Sequence, residues 1–234
     1  MAGTRSTQDA EAAEAARRRR VRINIATIVA VVLLIGVIGY LVQRTQDTGP
    51  VDAPAAGASE YGLTVGTADA PHTVVVYEDF LCPFCRRFEE ASSTELASLA
   101  AAGKVYLDYR PFVLLSSAGD YSKRSANAFW VVWRSAGPEV AKRFHDLLYA
   151  DQPEESGPFP DDDWLVEKAV QAGAEEAQVR PGIEDLAQAD AVDAATREAA
   201  DSNVAATPTV LLDGKQVTGD DVASIAESVL AAVR

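Results

Sequence analysis

Cysteine and histidine are scarce in this chain, two of each among 234 residues. That scarcity bears first on metal chemistry. A structural zinc site takes four ligands, and Cys82, Cys85, His72 and His145 are the whole supply, without the short histidine spacing of a finger or a second cysteine pair. No metal is expected at the cysteines. Positive charge is also in short supply: 21 Lys and Arg stand against 35 Asp and Glu, for a net charge of −14. Residues 1–22 hold six arginines against three acids, which leaves −17 on the remainder. An acidic body of that kind argues against nucleic acid and against docking on anionic headgroups, and serves solubility. Internal repeats are absent, and long apolar runs are absent with one exception.

The exception is Ile23 to Val42, 20 residues without a charge, preceded by Arg17-Arg18-Arg19-Arg20-Val21-Arg22. That length matches a bilayer core, and the arginine cluster places its own side in the cytoplasm. A cleaved signal peptide would have a shorter apolar region ending in small residues, whereas Tyr40-Leu41-Val42-Gln43-Arg44 offers no such site. The expected organisation is a cytoplasmic basic tail (1–22), a transmembrane helix (23–42), a flexible linker (43–60) and one extracytoplasmic domain (61–234). The linker reading rests on Pro, Gly, Ala and small polar residues with no apolar period. A coil of that length reaches about 23 Å.

Cys82-Pro83-Phe84-Cys85 lies between the apolar run Val74-Val75-Val76-Tyr77 and a stretch, Arg86 to Ala102, that reads as helix. A thiol at the first turn of a helix faces unpaired backbone N–H groups and the positive end of the macrodipole, both of which favour thiolate. A disulfide closing so small a ring adds little stability, because it removes little entropy from the unfolded chain. The pair therefore points to redox chemistry.

Around the motif, His72 to Tyr77 reads as a strand covered on both faces, Pro83 to Ala102 as a helix stopped by Gly103, and Lys104 to Tyr109 as a second strand. Strand, helix, strand implies a parallel βαβ unit. Next comes an all-helical insertion at about 115–200. It holds a helix over Tyr121–Ser135, one opened by Pro138, one capped by Asp161, and a fourth over Ile183–Asp201. Phe129, Trp130 and Trp133 on the first of these read as helix–helix core rather than a peptide groove. Thr209–Leu212 and Lys215–Thr218 form a hairpin turned at Asp213-Gly214, and Asp220–Val233 is a closing helix.

This combination resembles the thioredoxin superfamily, specifically the exported thiol oxidoreductases of the DsbA family. It rests on Gly66 through Asp69-Ala70-Pro71, the run Val74 to Cys85, and Ala206-Thr207-Pro208-Thr209 ahead of a Val-Leu-Leu strand. The resemblance implies a thioredoxin fold of the α/β class: a central mixed sheet flanked by helices, with the helical insertion. It implies Cys82 as the attacking and attacked sulfur, Cys85 as the buried resolving one, and a cis peptide bond between Thr207 and Pro208. That bond would lay the Thr207 backbone beside the sulfurs for substrate binding. The redox-active disulfide Cys82–Cys85 then stands in place of any cofactor. Implied partners are exported proteins with free cysteines and a membrane redox protein that resets the pair.

Two positions depart from the family pattern. Phe84 replaces the histidine that strongly oxidising members carry between their cysteines, and Val76 stands six residues before Cys82 where relatives keep a buried acid. Glu78 and Asp79 are near enough to substitute for that acid; His72 and His145 carry no assigned chemistry. A reductase or isomerase of the same fold, and a noncatalytic peptide-binding holdase, are the readings the oxidase must exclude.

Overall fold

The computed structural model describes residues 49–234, so the basic tail, the apolar segment 23–42 and the first part of the linker lie outside the described residues. Among those described, no helix is long and apolar enough to cross a membrane.

Strand β2 (His72–Glu78) is the centre of a five-stranded mixed sheet in the order β1-β3-β2-β4-β5. It runs parallel to β3 (Val105–Pro111) and antiparallel to β4 (Thr209–Leu212). The edges are β1 (Leu63–Val65), antiparallel to β3, and β5 (Lys215–Gln216), antiparallel to β4. β1 has no counterpart in the sequence reading, being only three residues long, and β5 stops two residues short of the predicted Thr218. As the unbroken valine run implies, both faces of β2 are covered. Val74 and Val76 join the main core with Phe88 and Leu96, while Val75 and Tyr77 join a second core with Phe112, Ala199 and Leu211.

Helix α1 (Pro83–Ala101) follows from Pro83 in its first turn and a buried face at Cys85, Phe88, Glu89, Ser92, Leu96 and Ala100. Gly103 takes a left-handed φ of 70° just past its end. Five helices follow β3: α2 (Tyr121–Ala136), α3 (Pro138–Ala150), α4 (Asp162–Ala172), α5 (Glu176–Glu184) and α6 (Ala189–Asp201). The closing helix α7 (Val222–Val233) lies along α1 and opens on a capping box between Asp221 and Ser224. Asp161 caps α4 by accepting from the Trp164 N–H. Phe129 and Trp130 are buried, as a helix–helix core requires.

Two sequence expectations are corrected. The predicted helix Ile183–Asp201 spans a break: α5 ends at Glu184, Leu186 sits at a φ of 52°, and α6 starts at Ala189. Asn127 on α2 holds this reversal, donating to the Gly182 and Ile183 carbonyls and accepting from the Gln188 N–H. A long-range clamp of this kind has no local signature. The second correction concerns the linker. Residues 49–60 belong to the folded unit, which begins at Gly49, and Val51, Ala53 and Ala56 pack on the second core. Their composition is that of a tether, but buried polar groups on β3 hold them down.

Candidate functional site

β2 ends at Glu78, and the chain turns at Asp79 into the start of α1. The Asp79 carboxylate fixes the turn, accepting from the N–H of Leu81 at 2.9 Å and, across the fold, from Leu114 at 2.8 Å and Leu115 at 2.9 Å. Gln152, just past α3, donates to the carbonyls of Phe80 (2.9 Å) and Cys82 (3.0 Å). The insertion thus grips the loop that carries the motif. Nothing in local sequence singles out Gln152, because its partners are backbone atoms some 70 residues earlier.

Cys82 is the N-cap of α1, and both cysteines are free thiols. Cys82 is 4% exposed and Cys85 1%. Their acidities are pushed in opposite directions. The Cys82 thiol falls from 9.0 to about 6, chiefly because Cys85 donates a hydrogen bond to its sulfur, against the cost of burial; Thr207 and the backbone N–H groups of Cys85 and Phe84 assist. Cys85 rises well above the ordinary thiol value, first through burial and then through the proximity of Cys82 and Glu78. The pair divides into a nucleophile and a reserve.

Thr207 and Pro208 are joined by a cis peptide bond, and the Thr207 carbonyl lies 3.4 Å from Cys82 Sγ. All four residues singled out in the sequence therefore meet at one place. Phe84, 53% exposed, stands beside them with the Arg87 guanidinium 5.5 Å from its ring centre.

The histidines do not join the thiols. His72 bonds Asp213 at the β4–β5 turn, and His145 is wholly buried, its Nε2 2.6 Å from Glu78 Oε1 and its Nδ1 3.0 Å from Asp146. Among the described residues, the group of metal-ligating side chains that comes together is Glu89, His145 and Asp146, without a cysteine. The sequence did carry a signal for His145: it falls one turn after Ala141 and one before Leu148, on the apolar face of α3.

One consequence is directly measurable. With Cys82 titrating at about 6, alkylation by iodoacetamide should rise to a plateau with a midpoint near pH 6, while Cys85 stays silent to above pH 9. At pH 7 the thiolate fraction is about thirtyfold that of an ordinary cysteine of pKa about 8.5. A single midpoint near 8.5 would remove the assignment.

A family model described as thioredoxin matches residues 58–230. Solved structures agree. The reduced form of the disulfide bond oxidoreductase DsbG from Mycobacterium tuberculosis is 30% identical, with a TM-score of 0.61 over 80% of this chain and 91% of that one. Reduced DsbA from the same organism is 29% identical, with a TM-score of 0.61 over 74% of this chain and all of that one. Oxidised BdbD from Bacillus subtilis, at 21% identity and a TM-score of 0.65 over 77% of this chain and 97% of that one, shares the fold. No curated protein sequence matches the chain.

Proposed function

The chain belongs to the thioredoxin family and is a thiol:disulfide exchange enzyme, and we propose that it oxidises cysteine pairs in exported proteins through Cys82 and Cys85 while tethered to the membrane by residues 23–42. The observation that carries this reading is the opposed acidity of two thiols at one helix start. In the oxidised enzyme a substrate thiolate attacks Cys82 Sγ, the Cys82–Cys85 bond breaks, and Cys85 leaves with the electron pair and takes up a proton. Burial, which favours its neutral thiol, supports that step. A second substrate thiolate then attacks the substrate's own sulfur in the mixed disulfide, and Cys82 departs as a thiolate. A low-pKa thiol is the better leaving group. Two electrons have passed to the enzyme, so a membrane redox partner must withdraw them, and the tether keeps the domain near it.

Thr207 and Pro208 supply the substrate surface in this reading. The Thr207 backbone lies against Cys82, where an extended segment on either side of a substrate cysteine would pair with it. Exposed Phe84 adds an apolar contact without demanding a sequence. The orientation with the domain outside the cell is supported by the arginine cluster before residue 23.

Linkage supports this direction of exchange. A thiol pKa lower in the folded, reduced enzyme than in the unfolded chain stabilises the reduced form increasingly as pH rises from about 6 to about 9, and this is lost as pH falls through 6. At pH 7 the gain is about 1.4 kcal/mol, equivalent to about 30 mV towards a stronger oxidant. Equilibration of the enzyme with glutathione buffers should accordingly give a potential above the −270 mV or so of thioredoxin. A value at or below that level would make the enzyme a reductase.

A further inference from the structure

Glu89 lies one helical turn beyond Cys85, on the buried face of α1, and is 4% exposed. Neither of its carboxylate oxygens has a hydrogen-bond partner. A buried carboxylate without a donor is costly, and one kept in a folded protein calls for a water, a proton or a cation. Its surroundings identify which. A Glu89 oxygen, a ring nitrogen of His145 and an Asp146 oxygen all lie within 4.8 Å of one another, and a cavity of about 120 Å³ bounded by Arg86, Glu89, Asp146 and Tyr149 leads to them from the surface.

We propose that Glu89, His145 and Asp146 form a binding site for a divalent transition-metal cation of the zinc class, joining the cysteine-bearing helix α1 to helix α3 of the insertion. Three features of the site favour it. Two carboxylates and an imidazole that gives up its Nδ1 proton offer a donor set of two negative charges, which a divalent cation balances, and one of the two carboxylates, Glu89, is buried without a donor. One nitrogen and two oxygens with a fourth position open to a cavity is a zinc arrangement, whereas calcium asks for six to eight oxygens. His145 Nε2 already faces Glu78 Oε1 at 2.6 Å. That carboxylate–histidine contact fixes the ring and leaves Nδ1 for the metal.

The positive groups near the site are Lys142, which pairs with Asp146, and Arg86, which faces Glu90 at 3.7 Å. The Lys142 side chain is 14% exposed and its ammonium also lies 4.9 Å from the Tyr109 ring centre, so it has a place to go when Asp146 turns to a metal. Binding displaces the proton from His145 Nδ1 and any proton on Glu89, and no other bond changes.

The test is titration of the solubilised full-length chain with zinc chloride by calorimetry and by thermal unfolding, with the Cys82–Cys85 disulfide formed so that no thiolate can bind. The site requires saturable one-to-one binding and a rise of several degrees in melting temperature. Glu89→Gln should abolish both while leaving the metal-free protein at least as stable, since it removes a buried charge. Asp146→Asn, at a half-exposed position, guards against a folding defect in that variant and should weaken binding by at least the 10–100-fold typical of lesser metal-site lesions. Cobalt should give visible bands without a thiolate charge-transfer band. Absence of saturable binding at millimolar zinc, equal binding by both variants, or binding seen only after reduction of the disulfide would each overturn the site.

Discussion

Substituting Cys85 with alanine should turn the enzyme into a trap, whereas Cys82→Ser should lower disulfide exchange to the uncatalysed rate. The difference follows from where the two sulfurs sit. Cys82 caps α1 with its pKa pulled down to about 6, so its sulfur is the atom that forms the bond to a substrate. Cys85 is 1% exposed and hydrogen-bonded to Cys82. With Cys85 gone, the Cys82 thiolate can still attack an existing substrate disulfide and expel one substrate thiolate, but the mixed disulfide so formed has lost the internal thiol that would resolve it, and adducts accumulate. Loss of Cys85 also removes the main donor that lowers the Cys82 pKa, so the trapped variant should alkylate with a midpoint above 6. Mass spectrometry of the adducts would identify the substrates. A Cys82→Ser protein that retained full activity would instead make the domain a binding module with an inert disulfide.

Why this site was legible while its supports were not comes down to range. The motif, the helix start at Pro83 and the Thr207-Pro208 pair are local signals, and so are the apolar periods of β2, α1, α2, α3 and α7. Each is set by residues within a turn or two of one another. Asn127, Gln152 and Asp79 act across 35 to 72 residues on backbone atoms, where no pattern of side-chain types marks the partner. The Glu78–His145 pair, 67 residues apart, is of the same kind. Glu78 stands four residues before Cys82 and Val76 six. Two residues on from position 76 there is thus a buried carboxylate, held by an imidazole from the insertion.

The linker reading failed for a related reason, and its failure makes a prediction. Asp108 and Arg110 alternate on one face of β3 and are 0% and 2% exposed. The Arg110 guanidinium donates to Asp108 Oδ2 at 2.7 and 3.1 Å, to the Tyr77 hydroxyl at 2.8 Å and to the Ala55 carbonyl at 2.9 Å, while the Gly57 N–H donates to the same Asp108 oxygen at 2.8 Å. Two charges in a strand need such a lid, and residues 49–60 provide it. Arg110→Ala leaves Asp108 buried with one backbone donor, so it should destabilise the domain by about 3–5 kcal/mol, a large share of the roughly 5–15 kcal/mol a domain has. Urea denaturation would show this as a lower midpoint, and a protease should cut near Ala55 at concentrations that spare the parent. Asp108→Leu with Arg110→Met removes both charges together and should recover most of the stability. If Arg110→Ala left the midpoint unchanged, residues 49–60 would be a tether after all, and the ion pair would contribute nothing to the fold.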